Sequence, residues 1–157
     1  MFPVRKILCP TDFSDCSYEA LRIAAEIASQ FGAQLYLLHV LPDMPNPLWT
    51  SLLDDARAKF EPGLSEYEKA LRDAAQRKLA EVIAERIPGS VESHAALSKG
   101  DAATEIARVA ESERAALIIM STHGMRGWRQ VALGSVAERV VRLSSRPVLT
   151  VRAPDVR

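Results

Sequence analysis

The fold of this chain is decided by one stretch, Ile119-Met120-Ser121-Thr122-His123-Gly124-Met125-Arg126-Gly127-Trp128-Arg129-Gln130-Val131-Ala132-Leu133-Gly134-Ser135-Val136-Ala137-Glu138-Arg139-Val140-Val141. A short apolar run from Ala116 to Met120 predicts a buried strand, and it breaks into a loop punctuated by glycine. The loop ends at Gly134-Ser135, directly before a segment with the spacing of an amphipathic helix. Strand, glycine loop and helix start together form a common phosphate site in α/β proteins, because backbone N–H groups and the positive end of the helix dipole face the anion.

The loop in this stretch differs from two well-known phosphate-binding loops. It lacks the Gly-Lys-Ser/Thr of a Walker A loop and the Gly-x-Gly-x-x-Gly fingerprint of dinucleotide-binding domains. We therefore expect it to bind its ligand differently from either loop, with Gly134-Ser135 at the anion end.

The bulk properties of the chain are those of a single globular domain, which we predict to span residues 1–157. Lysine plus arginine and aspartate plus glutamate each count 20, so the formal net charge is +0 and no nucleic-acid partner is expected. No apolar run reaches membrane-spanning length and no signal-peptide pattern is visible, so we expect no membrane partner. Cys9 and Cys16 do not form a Cys-x-x-Cys pair, which is typical of two free thiols in a cytoplasmic protein.

Apolar runs and helical periodicities alternate along the rest of the chain. We predict strands over residues 4–9, 34–41, 91–97, 116–120 and 147–151. We predict helices from an N-cap at Ser14 to Gly32, from a capping box at Ser65 to about Ile87, from Asp101 onward and from Ser135 to about Ser144. A further short helix is predicted near residues 50–60. This alternation, with strands apolar on both faces, predicts an α/β fold: a doubly wound, five-stranded parallel sheet of order 3-2-1-4-5 with helices on both faces.

Three strand ends carry the polar residues of the predicted ligand site. In an open doubly wound sheet, ligands bind beyond the carboxyl ends of the strands, where the strand order reverses. In the predicted order that point lies between strand 1, which ends at Pro10-Thr11-Asp12, and strand 4, which ends at Met120-Ser121-Thr122-His123-Gly124. The end of strand 2, His39-Val40-Leu41, lies beside Asp12. We assign His39 a structural role against a neighbouring strand.

The chain resembles the universal stress protein family. Nucleotide-binding members of that family carry Gly-x2-Gly-x9-Gly-Ser/Thr after strand 4, and this chain has Ser121-x2-Gly124-x9-Gly134-Ser135. Residues 6–12, 38–40, 134–140 and 146–151 also look like the family, so the likeness runs from about Arg5 to Arg152. Serine stands here where the family has its first motif glycine. Its side chain adds a Cβ and a hydroxyl, which could crowd a ligand or hydrogen-bond to it.

The resemblance implies an ATP-binding, dimeric regulatory or stress-response module. Asp12 would lie near the adenine or ribose, and the Val40 backbone would meet the adenine edge. The residues after strand 4 would line the ribose and first phosphates, the start of the last helix would hold the later phosphates, and Mg²⁺ or Mn²⁺ would arrive with the nucleotide. The expected binding residues are Pro10, Thr11, Asp12, Val40, Met120, Ser121, His123, Gly124, Gly134, Ser135 and Val136. No residue is assigned as a metal ligand or a catalytic group.

Several of these residues also have plainer explanations. Ser135 with Glu138 has the form of a capping box, Asp12 could only turn the chain into the first helix, and His123 could be a loop residue bonded to backbone. Two other functions stay open. One is a nucleotide hydrolase or phosphotransferase of similar fold, for which His123 is the single candidate to orient a nucleophile. The other is an interaction module that binds no nucleotide.

The last predicted strand, Pro147 to Val151, has apolar residues on both faces and lies at the edge of the predicted sheet. Arg146 and Arg152 flank it, but no charge lies within it. Exposed apolar edges are normally covered, charged or paired. We therefore expect a homodimer in which residues 147–151 pair antiparallel with the same strand of a second copy.

Overall fold

The computed structural model describes residues 3–42, 61–122 and 134–152. Within these ranges five strands alternate with four helices: β1 (Lys6–Pro10), α1 (Asp15–Phe31), β2 (Gln34–Leu41), α2 (Glu61–Arg86), β3 (Ser93–Lys99), α3 (Ala102–Ser112), β4 (Leu117–Ser121), α4 (Ser135–Leu143) and β5 (Val148–Val151). All strands are parallel, in the order β3-β2-β1-β4-β5. The predicted sheet and its strand order are confirmed.

Each face of the sheet carries its own hydrophobic core. Successive side chains of a strand point to opposite faces, so the central strands supply both cores. The core under α1 and α2 includes Ile7, Leu35, Leu37, Ile119, Leu79 and Val82. The core under α3 and α4 includes Leu8, Leu38, Ile118, Ile106, Ala137 and Val140. This double burial explains why the strands near the centre read as continuous apolar runs.

The two cysteines lie on the α1 side of the molecule and are free thiols, as predicted. Cys9, in β1, is fully buried, and this burial raises the pKa of its thiol to about 12. Cys16, in the first turn of α1, is half-buried. The burial of Cys9 places it among the inert structural thiols rather than the reactive ones.

The ends of α1 follow the predicted signals. Ser14 is the N-cap, and its Oγ accepts a hydrogen bond of 3.2 Å from the Ser17 N–H. Gly32 ends the helix in the left-handed conformation at φ 60°, which costs glycine little because it has no Cβ. Its N–H donates to the Ala28 carbonyl.

Other predicted boundaries differ from the structure. The helix predicted to start at Ser65 begins by Glu61, so Ser65 lies inside α2 and the capping-box prediction there is wrong. Pro62 lies in the first turn, where proline is tolerated because the N–H groups there have no intrahelical partner. β3 extends to Lys99 rather than ending near Leu97, since its backbone pairs with β2 as far as Leu41. The other strands shift by at most two residues, and the helix predicted near residues 50–60 lies outside the described residues.

Candidate functional site

The carboxyl end of the sheet opens between β1 and β4. The ladder between these strands joins Ile7 to Leu117 and Leu8 to Ile118, whereas β1 pairs with β2 over five residues. Pro10 ends β1 and has no N–H to donate to a neighbouring strand, which helps to explain why the ladder with β4 stops. This is the point where the strand order reverses, and so the place where doubly wound sheets bind ligands.

The turn that follows β1 is fixed by Thr11. Thr11 is only 6% exposed, and its N–H donates to the Leu38 carbonyl at 2.8 Å. Its Oγ1 accepts from the Phe13 N–H at 3.0 Å and lies 2.9 Å from Ser17 Oγ. One threonine therefore ties the turn to β2 on one side and to α1 on the other.

Asp12 lies at the carboxyl end of β1 and shapes this turn. Its Oδ1 accepts from the Ser14 N–H at 3.1 Å and from the Ser14 hydroxyl at 2.5 Å, which is an Asx turn with an added hydroxyl bond. The N-cap of α1 is Ser14 rather than Asp12. Asp12 is therefore a turn residue, as its plainer explanation predicts.

The backbone of Val40 is directed toward the crevice. Gln34 donates to Arg5 and Leu38 accepts from Thr11, so the even-numbered residues of β2 face β1. Since N–H and C=O directions alternate along a strand, the Val40 backbone also faces the β1 side. The residue of β1 level with Leu38 is Pro10, the last of that strand. The polar groups of Val40 therefore lie beyond the end of β1.

The chain leaves β4 and enters α4 at nearly the same place. The Gly134 N–H donates to the Thr122 carbonyl at 2.7 Å, and the Thr122 N–H donates to Val151 at 2.9 Å. Ser121 is half-buried at the end of β4, and Met120 is buried in the core under α3 and α4. His123 and Gly124 lie outside the described residues. The contact between Thr122 and Gly134 brings the start of α4 to the carboxyl edge of the sheet.

The capping box predicted at Ser135 is wrong. The N-cap of α4 is Gly134, in extended conformation at φ −60° and ψ 150°, and Ser135 is the first helical residue. Glycine offers no side chain to cap the first N–H groups, which have no intrahelical acceptor. Ser135 and Val136 are both exposed. The start of α4 is therefore an accessible, positively polarised helix end with a hydroxyl beside it.

Two carboxylates, at the N-cap and near the end of α3, pair with Arg139 in the middle of α4 and with Arg146 in the segment after α4. Asp101, the N-cap of α3, accepts from Thr104 and receives two bonds from the Arg139 guanidinium at 2.7 and 2.8 Å. Arg139 and Thr104 hold the pKa of the Asp101 carboxyl well below its ordinary value of 3.8. At the other end, Glu111 accepts from Arg146 at 2.9 and 3.0 Å. Hydrogen bonds from Ser145 and then Arg146 lower the pKa of Glu111.

The sequence-predicted site residues that the structure describes come together at this edge. β1 ends at Pro10, and Thr11 and Asp12 follow it directly. The Val40 backbone faces these residues from β2, and α4 begins at Gly134 to Val136 beside the end of β4. Sequence reasoning missed the pairing of Asp101 with Arg139. The one available signal was the helix start at Gly100-Asp101, which indicates a cap but not its partner on another helix.

The described residues give two limits on this site and its setting. In the ranges 3–42, 61–122 and 134–152, no group of three or more His, Cys, Asp or Glu side chains is arranged to hold a metal ion. Among the helices in those ranges, none combines the length and apolar character that crossing a membrane requires.

The fold defines an α/β domain of the doubly wound type, in which the strand order reverses between β1 and β4. The model of the universal stress protein family matches residues 3–152, and the chain belongs to that family. The universal stress protein MJ0531 of Methanocaldococcus jannaschii is 37% identical over 150 residues, which cover 96% of this chain and 83% of that protein.

Solved structures of the family share this architecture. The structure of MJ0577 from Methanocaldococcus jannaschii superposes with a TM-score of 0.74 at 28% identity, covering 97% of this chain and 98% of that one. A universal stress protein from Archaeoglobus fulgidus, solved in complex with dAMP, superposes with a TM-score of 0.56 at 22% identity. The superposition covers 96% of this chain and 98% of the Archaeoglobus fulgidus chain. At this level of sequence identity, the similarity shows a shared fold alone.

Proposed function

We propose that this protein binds an adenine nucleotide, ATP, in the crevice between β1 and β4, and that it works as a regulatory or stress-response module. The observation that carries the proposal is the 2.7 Å bond from Gly134 to Thr122. It brings an uncapped helix start to the sheet edge where the turn after β1 presents Asp12. In support, the Archaeoglobus fulgidus relative was solved with dAMP, so an adenine nucleotide binds to that protein.

The proposed assignment divides the nucleotide between two sides of the crevice. The Asp12 carboxylate accepts from a ribose hydroxyl or the adenine amino group, and the Val40 backbone meets the adenine edge. The backbone N–H groups of Ser135 and Val136 and the Ser135 hydroxyl hold the later phosphates, because a helix N-terminus favours anions. Ser121, His123 and Gly124 complete the assignment around the ribose and first phosphates, and Mg²⁺ or Mn²⁺ enters with the nucleotide.

Thermal unfolding in the presence of nucleotides tests this proposal. A ligand at a hundredfold its dissociation constant stabilises the native state by about 2.7 kcal/mol. At roughly 2–4 °C per kcal/mol for a chain of this size, ATP with magnesium should raise the Tm by about 5–10 °C. An unchanged Tm with millimolar ATP, ADP and AMP would contradict nucleotide binding and favour an interaction module.

We further propose that the protein is a homodimer joined through residues 147–151. β5 is an edge strand, and Leu149 is 38% exposed there. Pro147 and Val151 accept from β4, so alternation directs the backbone of Val148 and Thr150 to the open edge. An apolar edge with outward donors suits antiparallel pairing with a second copy.

The open edge can be blocked without touching the ladder to β4. Thr150→Pro removes an outward N–H, whereas Thr150→Val keeps it and serves as the control. Light scattering after size exclusion should give a dimer for the native chain and for Thr150→Val, and a monomer or aggregate for Thr150→Pro. A native chain that stays monomeric at high micromolar concentration would contradict the dimer.

A further inference from the structure

His39 contacts the turn that carries Asp12, although it lies on a different strand. It belongs to β2, one residue before Val40, and its Nδ1 is 2.8 Å from the Thr11 carbonyl oxygen. A carbonyl oxygen only accepts, so Nδ1 carries the proton in this contact and donates. The structural role assigned to His39 is confirmed, and this bond says which backbone group it holds.

The residue on the other side of Asp12 is held by the same ring. Phe13 adopts φ 64°, a left-handed conformation that is unusual for a bulky side chain. Its ring centroid lies 4.4 Å from that of His39, with the planes tilted by 32°. Such a backbone persists only where the surroundings enforce it, and such sites often belong to function. Here the enforcing contacts are the His39 ring and the Thr11 hydroxyl, which accepts from the Phe13 N–H.

His39 therefore holds both neighbours of Asp12, one by a hydrogen bond and one by ring packing. We propose that His39 is a positioning residue for the nucleoside half of the site: it fixes the turn so that the Asp12 carboxylate meets the ribose or adenine without rearrangement. The inference rests on the proposed function. Binding to a pre-formed turn avoids the cost of ordering it, so His39 raises affinity without touching the ligand.

This role makes a prediction that depends on which part of the nucleotide is present. The turn after β1 serves the nucleoside, whereas the start of α4 serves the phosphates. Loss of the hydrogen bond from His39 should therefore weaken the binding of adenosine and the binding of ATP by the same factor. A general loosening of the fold would instead change both sides of the crevice.

Two substitutions separate the hydrogen bond from the ring. His39→Phe keeps a ring against Phe13 and removes the donor, while His39→Asn keeps an amide donor close to the place of Nδ1. His94 offers a matched control at the amino end of β3, because its ring lies 4.8 Å from that of Tyr36 with a tilt of 33° and it hydrogen-bonds to Glu92 at 3.1 Å. His94→Phe makes the same chemical change far from the crevice.

Calorimetric titration with adenosine and with ATP gives the readout, and Tm values check that each variant folds. We expect His39→Phe to lower the binding affinity for both ligands about fivefold, the effect expected from the loss of one hydrogen bond. His39→Asn keeps the donor and loses the ring contact with Phe13, so it should weaken the binding of both ligands by one common factor that measures the ring contact alone, and His94→Phe should leave both affinities unchanged. The ¹⁵N spectrum of the native protein should show His39 protonated at Nδ1.

The outcomes distinguish this inference from the proposed function. If the native chain binds neither adenosine nor ATP, the proposed function is wrong and His39 has no nucleoside site to position. If the native chain binds and His39→Phe binds equally well, only the positioning role is overturned. It is also overturned if His39→Phe or His39→Asn weakens the binding of ATP alone.

Discussion

Beside β1, the crevice wall is a turn built largely from contacts between residues close in sequence, to which Leu38 and His39 of β2 add bonds, whereas beside β4 it depends on contacts between separate segments. Thr11, Asp12, Phe13, Ser14 and Ser17 bond to one another within seven residues. The start of α4 is held by the bond from Gly134 to Thr122, the middle of α4 by the ion pair of Arg139 with Asp101, 38 positions away, and the segment after α4 by that of Arg146 with Glu111, 35 positions away. The side that we propose for the nucleoside (the nucleoside side) is thus a turn of neighbouring residues, and the side that we propose for the phosphates (the phosphate side) is the start of a helix packed against other segments.

This difference has consequences for how the two sides respond to change. A local turn responds to the loss of single neutral hydrogen bonds. A helix held by carboxylate–guanidinium pairs responds to pH as well, because its ties depend on ionised groups. Substitutions on either side should also separate by ligand, since the proposed function assigns adenosine to one side and the phosphates to the other.

The largest effect is expected from a negative charge at the phosphate side. Gly134→Asp fits the extended backbone of the N-cap and is a favoured capping residue, so the fold should tolerate it. A carboxylate about 4 Å from a phosphate charge costs about 4 kcal/mol at an effective dielectric of 20, so ATP affinity should fall at least about 100-fold. Calorimetry should show adenosine affinity unchanged.

Gly134→Asn is the control for this substitution, because it has the same size and capping ability without the charge. It should retain most of the ATP affinity that Gly134→Asp loses. Equal ATP affinity in the native chain and Gly134→Asp would place the phosphates elsewhere.

A smaller effect on the same side is expected from Ser135→Ala. Because Ser135 is the first helical residue and not the N-cap, the free energy of unfolding should stay within about 0.5 kcal/mol of the native value. ATP affinity should fall by the worth of one hydrogen bond, about 1 kcal/mol or fivefold, and Ser135→Thr should retain it. A destabilisation near 1 kcal/mol with unchanged ATP affinity would restore the capping role.

On the nucleoside side, Ser14→Ala should affect stability first. It removes the N-cap of α1 and the hydroxyl that donates to Asp12, so unfolding in urea should show a loss of about 1 kcal/mol. This corresponds to a fall in Tm of roughly 2–4 °C. Ser14→Thr keeps both bonds and should stay close to the native value. If the two variants were equally unstable, side-chain capping would not be the cause.

The smallest effect is expected from the ion pair between Asp101 and Arg139, since both side chains are about half exposed. Asp101→Asn keeps an oxygen for the Thr104 N–H and loses the charge. The folded-state pKa lies below the ordinary value of 3.8, so the pair contributes fully above that value and its contribution is lost as the pH falls below it. Urea midpoints of native and variant should therefore differ at neutral pH and converge in acid. If the difference between the two urea midpoints did not change with pH, the ion pair would be excluded as the cause of that difference.

Much of the fold could be predicted because its signals are local. β2 has the predicted bounds, residues 34–41, because a largely apolar run lies there between Gly32 and Pro42. The strand order followed from the common arrangement of five parallel strands. α2 was placed too late because Ser65 and Pro62 give competing start signals, and sequence alone does not show that proline occupies a first turn.

The candidate site divides in the same way. The turn at Asp12 and the cap at Ser14 are local and were predicted in kind. The N-cap of α4 was assigned to Ser135 because serine with a glutamate three residues later is the usual pattern, and the structure uses Gly134 instead. The pairing of Asp101 with Arg139 depends on how α3 and α4 pack, and the contact of His39 with Phe13 depends on a left-handed residue. Neither contact can be predicted from the spacing of residues in the sequence.

The burial of Cys9 gives this protein a chemical reporter of its own unfolding. Burial raises the pKa of the Cys9 thiol far above neutral pH and keeps reagents away from it. Thiol reagents should therefore label Cys16 in the folded chain and reach Cys9 only when β1 leaves the sheet. The rate of the second labelling event measures how often β1, the strand that leads into Thr11 and Asp12, opens, with no engineered label.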